Sequence, residues 1–356
     1  MLEATEGTIM DITPLAKPPA AQSKPLLSDI ARTTGFSLAT VSKVLNGRAD
    51  VSSQTRQIIT QALNDAGYSK HGRSKTSSST LIEVVFQDFK TVWALEVLRG
   101  VVHECSQHNL SVVTSEIGHG PTSITDWIDR VAQRGIMGAI LVFSELSQTE
   151  ERKLQFHHIP YVIFDPSGDP KPTKLCVQAD NWTGGLLATR HLLTLGHRRI
   201  GIITGPDDML CSRARLDGYT TALAEEGILI DPALITEGDF TTPGGYAQAM
   251  ELLLNPERPT AIFAGSDLQA MGVYEAARQC GLRIPDDLSV VGFDDVQTAA
   301  FLGPPLTTVR QPLQDMAVEA TRMIIETNKD STFQKQVILP TTLVVRNSTA
   351  APPQPE

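Results

Sequence analysis

Cysteine is scarce in this 356-residue chain, and the four present, Cys105, Cys176, Cys211 and Cys280, lie far apart in mostly apolar segments. No pair has metal-ligand spacing or forms a Cys-x-x-Cys motif. A disulfide-stapled scaffold, a zinc module and a dithiol redox centre are therefore excluded, and reduced thiols in a cytosolic protein are expected. No stretch is apolar enough to span a bilayer, and the N-terminus is acidic and polar where a secretory signal needs a basic patch and an apolar run. No Ser/His/Asp nucleophile arrangement, metal motif or acid/base pair stands out, so nothing argues for catalysis. The segment Gly201-Ile202-Ile203-Thr204-Gly205-Pro206 has two glycines but lacks the phosphate-cradling fingerprint, and no cofactor is expected.

What is present is length and a 41% hydrophobic content, enough for two or three domains with cores of their own. Residues 1–24 mix Pro, Ala and Thr without periodicity and read as a disordered leader, with Met10 an alternative start. The formal net charge of −10 is unevenly spread. Between Lys24 and Lys75, eight Lys/Arg face three Asp, a net of +5 that leaves −15 for the remainder. A basic head on an acidic body suits a chain that meets phosphate at one end only.

The head, 25–68, has helical punctuation. Ser28 is placed to cap a first helix through Asp29, Ile30, Ala31 and Arg32, which Gly35 ends. Ser37 can cap a second, Leu38 to Asn46, with Val41, Val44 and Leu45 on one side, ending at Gly47. A third follows Ser52 and runs through Ile58, Ile59, Ala62 and Leu63. Two short helices joined by a tight Gly-containing turn, the second opening on small polar residues, make a helix-turn-helix.

Leu27-Ser28-Asp29-Ile30-Ala31, Gly35-Phe36-Ser37, Ala39-Thr40-Val41-Ser42-Lys43-Val44-Leu45-Asn46-Gly47 and Val51-Ser52 resemble the DNA-binding signature of the lac-repressor family. The resemblance implies that Leu38, Ala39 and Lys43 read bases while Ser37, Thr40, Ser42 and Asn46 make phosphate and groove contacts. The chemistry suits those roles, since lysine donates to the O6 and N7 acceptors of guanine and small apolar side chains suit thymine methyls. The bland alternative for Leu38 and Ala39 is helix packing, and for Lys43 a solvated surface lysine.

From Leu81 onward, short apolar or β-branched runs alternate with amphipathic helices. The strands expected are Leu81 to Phe86, Leu110 to Thr114, Ala139 to Phe143, Tyr161 to Phe164, Ile200 to Ile203, Ala261 to Ala264 and Leu288 to Phe293. Helices are expected between them, such as Ala94 to Gln107, Gly184 to Leu195, Ala214 to Glu226, Ala247 to Leu254 and Gln269 to Gln279. The fold class that follows is α/β: an all-α head, then two Rossmann-like lobes of parallel sheet facing across a cleft.

Asp180-Asn181, Leu195-Gly196-His197-Arg198-Arg199-Ile200, Gly218-Tyr219, Gly265-Ser266-Asp267, Ser289-Val290-Val291-Gly292-Phe293-Asp294-Asp295 and Pro304-Pro305-Leu306-Thr307-Thr308-Val309-Arg310-Gln311 extend the resemblance to the family's body and to the periplasmic sugar-binding proteins of the same fold. It implies three crossings between lobes. Lobe one is placed at 81–178 and 311–339 and lobe two at 179–310 and 340–348, with 69–80 a linker, 81–349 the effector-binding domain and 350–356 a disordered tail. In relatives the linker folds on DNA into a hinge helix that wedges a leucine into the minor groove. Here Ser69 to Thr80 holds seven Ser or Thr with Lys70, His71, Gly72, Arg73 and Lys75 and no such leucine, so a flexible basic tether is expected.

A sugar site needs an aromatic face and groups that make several hydrogen bonds to hydroxyls. Trp93 follows the first strand where the family often has an aromatic residue, and Ser144 and Asp165 close the third and fourth strands. Arg215, Ser266, Asp294 and Gln311 match the family's ligand-contacting positions. The bland alternative for Arg215 and Asp294 is a structural salt bridge, and for Trp93 a core aromatic. His197 with Arg198 and Arg199 reads as a strand-entry and surface feature, and Cys211 as packing. Two other classes remain to be weighed: a transporter's solute-binding protein, disfavoured by the head and the missing signal, and a sugar- or nucleotide-acting enzyme, which lacks a nucleophile, metal or phosphate loop. The resemblance implies a transcriptional regulator that binds a pseudo-palindromic operator as a homodimer, responds to a small sugar and has no membrane partner. With no apolar heptads after Thr349, a coiled-coil tetramer is not expected.

Overall fold

The computed structural model describes residues 27–45, 51–65, 79–87, 92–118, 123–142, 146–166, 174–330 and 332–353. The chain divides into two compact units, Met1–Ser69 and Lys70–Glu356. Asn46 and Ser144, and the linker residues from Ser69 to Ser78, lie outside the described residues.

The first unit holds α1 (Leu27–Thr34), α2 (Leu38–Leu45) and α3 (Ser53–Asp65). Ile30, Val41, Val44, Ile59 and Leu63 form its core, one or two side chains from each helix. Ser37 caps α2, its Oγ accepting the Thr40 N–H at 3.1 Å, and Ser52 caps α3 by the same device on Thr55 at 3.2 Å. Ser28, expected as a cap, is instead inside α1, which already includes Leu27. The reason is packing: Leu27 rests on the core cluster, and the helix reaches back at least as far as that residue.

The second unit contains two six-stranded sheets. The first comprises β1 (Leu81–Phe86), β2 (Ser111–Glu116), β3 (Gly138–Val142), β4 (Tyr161–Phe164), β5 (Cys176–Ala179) and β11 (Gln336–Leu339), in the order β11-β5-β4-β3-β1-β2, all pairs parallel. The second comprises β6 (Ile200–Thr204), β7 (Ile235–Glu237), β8 (Ala261–Ala264), β9 (Ser289–Asp294), β10 (Thr307–Arg310) and β12 (Thr342–Val344), in the order β12-β10-β9-β8-β6-β7. Its edge strand β12 runs antiparallel to β10, a departure from the all-parallel expectation. The central strands β3, β6, β8 and β9 are buried along their whole length, which is why β3 and β8 read as unbroken apolar runs and the polar residues of β6 and β9 fall at their ends.

Helices cover both faces. On the first sheet, α4 (Val92–Gln107) and α11 (Leu313–Lys329) seal one core, and α5 (Ser123–Arg134) and α6 (Gln148–Phe156) border the other. The second sheet is flanked by α7 (Asn181–Thr194) and α8 (Leu210–Glu225) on one face and by α9 (Thr242–Leu253) and α10 (Asp267–Gln279) on the other. The pair α7 and α8 touches backbone to backbone. A Cβ on Gly218 would lie 2.3 Å from Trp182 O, and one on Gly185 would lie 2.3 Å from Arg215 O.

The chain passes between the sheets three times, after β5, after β10 and between β11 and β12. The first and third passages are tied together: Asp180 N–H donates to Leu339 O at 2.8 Å and Thr341 Oγ1 donates to Asp180 O at 3.0 Å. His197, read as a surface feature, is instead buried. Its Nδ1 shares a hydrogen bond with Thr260 Oγ1 at 2.9 Å, and its Nε2 meets Ser289 Oγ at 3.0 Å and Ala350 O at 2.9 Å, which holds the C-terminal segment on the second sheet. Burial lowers its tendency to protonate.

Candidate functional site

Two surfaces concentrate the chemistry. On the first unit, the start of α2 turns outward. Leu38 is 52% exposed, and Ser37, Ala39 and Lys43 are exposed as well, with Thr40 and Ser42 half-buried. The residues that build the core, Val41 and Val44, occupy the opposite side. Leu38 and Ala39 are thus free of the packing role that was their alternative. An exposed leucine and alanine beside a lysine on an eight-residue helix form a face that can enter a major groove.

On the second unit, the strand ends converge. Ligands of doubly wound sheets sit beyond the carboxyl ends of the strands, and there stand Asp165 after β4, Asp294 at the end of β9, Ser266 after β8 and Gln311 after β10. Arg215 joins them from the second turn of α8 and is 5% exposed. Its Nε donates to Asn181 Oδ1 at 2.9 Å, its Nη1 donates to the carbonyl of Gly265, and its central carbon lies 3.8 Å from the Phe293 ring centroid. Asn181, the first residue of α7, also faces the Asp165 carboxyl and favours its ionised form, so one amide lies between the end of the first sheet's β4 and the second sheet's guanidinium.

Gln311 Nε2 donates to Asp294 Oδ1 at 2.6 Å. Arg215 and Asp294 make no direct ion pair; the guanidinium acts on the carboxylate through space only. Burial pushes Asp165 up to about 6, against the pull of Arg215 and Asn181. Asp294 is raised too, chiefly by burial, against the pull of Arg215 and the Gln311 amide and with a further push from Asp165. Both residues sit at positive φ, 49° and 120°, conformations that few side chains adopt and that here aim the two carboxyls off the strand ends.

Ser266 is committed locally, since it caps α10 by accepting the Gln269 N–H at 3.1 Å. Trp93 lies at the start of α4, 8% exposed, edge-on to Phe164 with centroids 5.8 Å apart and within the first sheet's core. The aromatic ring beside the cluster is another one. Phe240, half-buried in the loop between β7 and α9 at φ 61°, lies 5.3 Å from the guanidinium carbon of Arg215, and its carbonyl accepts from Ser266 Oγ at 3.4 Å. The sequence offered one signal for it, an aromatic set between Asp239 and the capping Thr241 in a strand-to-helix loop.

Cys176 and Cys211 border Asp165, and burial pushes both thiols up to about 12, so neither is a nucleophile. Among the described residues no group of His, Cys, Asp and Glu could hold a metal ion, and no helix is long and apolar enough to cross a membrane.

Residues 26–70 match the bacterial regulatory proteins of the lacI family, and residues 189–349 match the periplasmic binding protein-like domain. The HTH-type transcriptional repressor CytR of Escherichia coli (strain K12) is 32% identical over 334 residues, 92% of this chain and 97% of that protein. Among solved structures, the complex of the transcriptional regulator CelR with cellobiose superposes with a TM-score of 0.71 at 31% identity, covering 91% of this chain and 99% of that one. The lac repressor dimer bound to operator and the anti-inducer ONPF gives 0.69 at 26% identity, covering 92% and 100%. The relatives are transcriptional regulators, not enzymes.

Proposed function

The chain belongs to the lacI family of bacterial regulatory proteins, and on that premise we propose that it is a homodimeric repressor of sugar-utilisation genes, which binds a pseudo-palindromic operator and answers to a small sugar or oligosaccharide held between its two sheets. The operator reading is supported by the exposed face of α2: Leu38, Ala39 and Lys43 would meet base edges, and Ser37, Thr40 and Ser42 the backbone and groove, to which the resemblance adds Asn46. A single short helix reads too few base pairs for useful specificity, so two heads acting together are required. Sedimentation with a symmetric site should give two chains per duplex, and one chain bound at full affinity would refute the dimer.

The observation that carries the effector reading is the cluster of Asp165, Asn181, Arg215, Asp294 and Gln311, contributed by both sheets and the passages between them. Carboxylate and amide oxygens accept from adjacent hydroxyls, and the Phe240 ring supplies an apolar face for sugar C–H groups. Trp93, Ser144 and Ser266 belong to the proposed set by resemblance alone. The CelR relative is a cellobiose complex, which favours a saccharide here as well. A ligand that binds only the folded state raises its melting temperature. Thermal-shift screening of mono- and oligosaccharides therefore tests the proposal, and a hit must vanish in Asp294→Ala.

A further inference from the structure

The helix α2 keeps one large apolar side chain outside the core of its unit. Leu38, its first residue, is 52% exposed and Ala39 beside it is exposed as well, whereas Val41 and Val44 of the same helix are wholly buried. Packing therefore does not account for the pair. Neither side chain has a donor or an acceptor, so neither can tell one base from another by hydrogen bonding. The hydroxyls next to them are turned to the cap: Ser37 Oγ accepts the Thr40 N–H at 3.1 Å and shares a second hydrogen bond with Thr40 Oγ1 at 2.8 Å. Lys43, a little over one turn further on and exposed, only donates.

The major groove offers such a pair one kind of partner. Its base edges present N7, O6 and O4 acceptors and amino donors, and the single apolar group among the four base pairs is the methyl at C5 of thymine. Covering that methyl takes both it and the leucine out of water, whereas pressing the leucine on an amino or keto group strips a polar atom of its solvent. The net charge of +5 between Lys24 and Lys75 draws the helix to phosphate but selects no sequence. What the pair can recognise is a substituent on the pyrimidine ring, not the pyrimidine itself. Cytosine bears hydrogen at C5, and 5-methylcytosine bears the same methyl in the same place.

We propose that Leu38 and Ala39 read the C5-methyl group as such, so that the head takes thymine and 5-methylcytosine alike and discriminates against uracil and unmethylated cytosine. The inference rests on the operator reading of α2 and deepens it. Its consequence is regulatory. Methylation of a cytosine at C5 within a half-site acts on this head as a change of base sequence does, and it strengthens a site in which cytosine stands where thymine is preferred.

The test uses the full-length protein and a randomised duplex pool, from which repeated selection yields the preferred operator. In that operator each thymine in turn, in both half-sites together, is replaced by uracil, and each such T·A pair by C·G with and without the C5 methyl. Comparing T·A with U·A, and 5-methyl-C·G with C·G, alters nothing on the base edges except the methyl. At one or two positions the methyl should raise affinity by about fourfold per half-site, the effect of burying one such group, and by a similar factor in both backgrounds. Leu38→Ser and Ala39→Ser, both at exposed positions, should melt as the parent does and between them bring those ratios close to one. Equal binding of the T·A and U·A operators overturns the inference. So does a methyl preference confined to thymine, or one that survives both substitutions, which traces it to duplex shape or to another side chain. In each of these cases a selected operator remains and α2 keeps its place as the DNA-reading helix. If selection yields no preferred site, the operator reading falls and the inference with it.

Discussion

The guanidinium of Arg215 lies over the ring of Phe293, 3.8 Å from its centroid, while Phe293 is wholly buried. The cation is thereby fixed by a rigid strand residue rather than by an ion pair, and its field reaches both Asp165 and Asp294.

Arg215→Ala and Asp294→Ala are each expected to leave operator binding nearly intact and to abolish the effector response, because an effector acts only through its different affinity for two states of the protein. Operator gel shifts with and without the sugar check this. Loss of DNA binding with a normal sugar isotherm would count against the assignment.

Asp165 should make the body's stability fall with pH. A carboxyl raised from 3.8 to about 6 by folding binds its proton more tightly in the native state. Its favourable contribution is complete below about pH 4 and is lost as pH rises through about 6. Asp165→Asn removes that loss. The variant should gain on the order of 2 kcal/mol over the parent between about pH 5 and about pH 8, read as a growing difference in melting temperature; a constant difference would show that Asp165 stays ionised throughout.

Gly218→Ala tests the contact between α7 and α8. Glycine to alanine in an open helix position stabilises by about 1 kcal/mol, but here the added Cβ meets Trp182 O at 2.3 Å and Leu186 N at 2.6 Å. Overpacking wins, and a net loss of about 1–3 kcal/mol in urea unfolding is expected. Effector affinity should drop as well, since Arg215 sits three residues earlier on the same helix face.

For DNA binding, Lys43→Ala should cost about 1–3 kcal/mol at the specific site and relax the base preference there. Replacing Lys70, Arg73 and Lys75 with Ala should act differently, weakening all sequences alike and flattening the slope of log affinity against log salt by up to about 0.9 per lost phosphate contact. Gel shifts across a salt series separate the two, and an unchanged slope would remove the linker from the phosphate-contacting surface.

Much of this architecture was legible because its elements are either fully buried or sharply capped. The runs Ala261–Ala264 and Tyr161–Phe164 became β8 and β4 at the expected bounds, and Ser37 marked the start of α2. The edge strands were harder to see. Ile235–Glu237, Gln336–Leu339 and Thr342–Val344 are short, partly exposed and polar at alternate positions, so each is specified by the neighbour it pairs with rather than by its own residues. In the site, Arg215, Asp294 and Gln311 were named from resemblance, and the structure brings them together with Asp165. Asn181, which joins two of them, and Phe240, a lone aromatic in a loop, carry no periodicity that a linear reading could detect.

The threading of the chain also sets an order in time. Leu313, Met316, Ala317, Ala320, Met323 and Ile324 of α11 belong to the first sheet's core, although β1 to β5 are synthesised long before them. After Ala179 emerges from a ribosome, about 150 residues must follow before α11 is complete, a wait of roughly 10–30 s at ordinary rates of synthesis. The second sheet needs only its edge strand β12 from beyond that point. The half that is made first is therefore the half that waits longest for its missing helix, and the nascent chain must shelter an open apolar face until its own far end arrives.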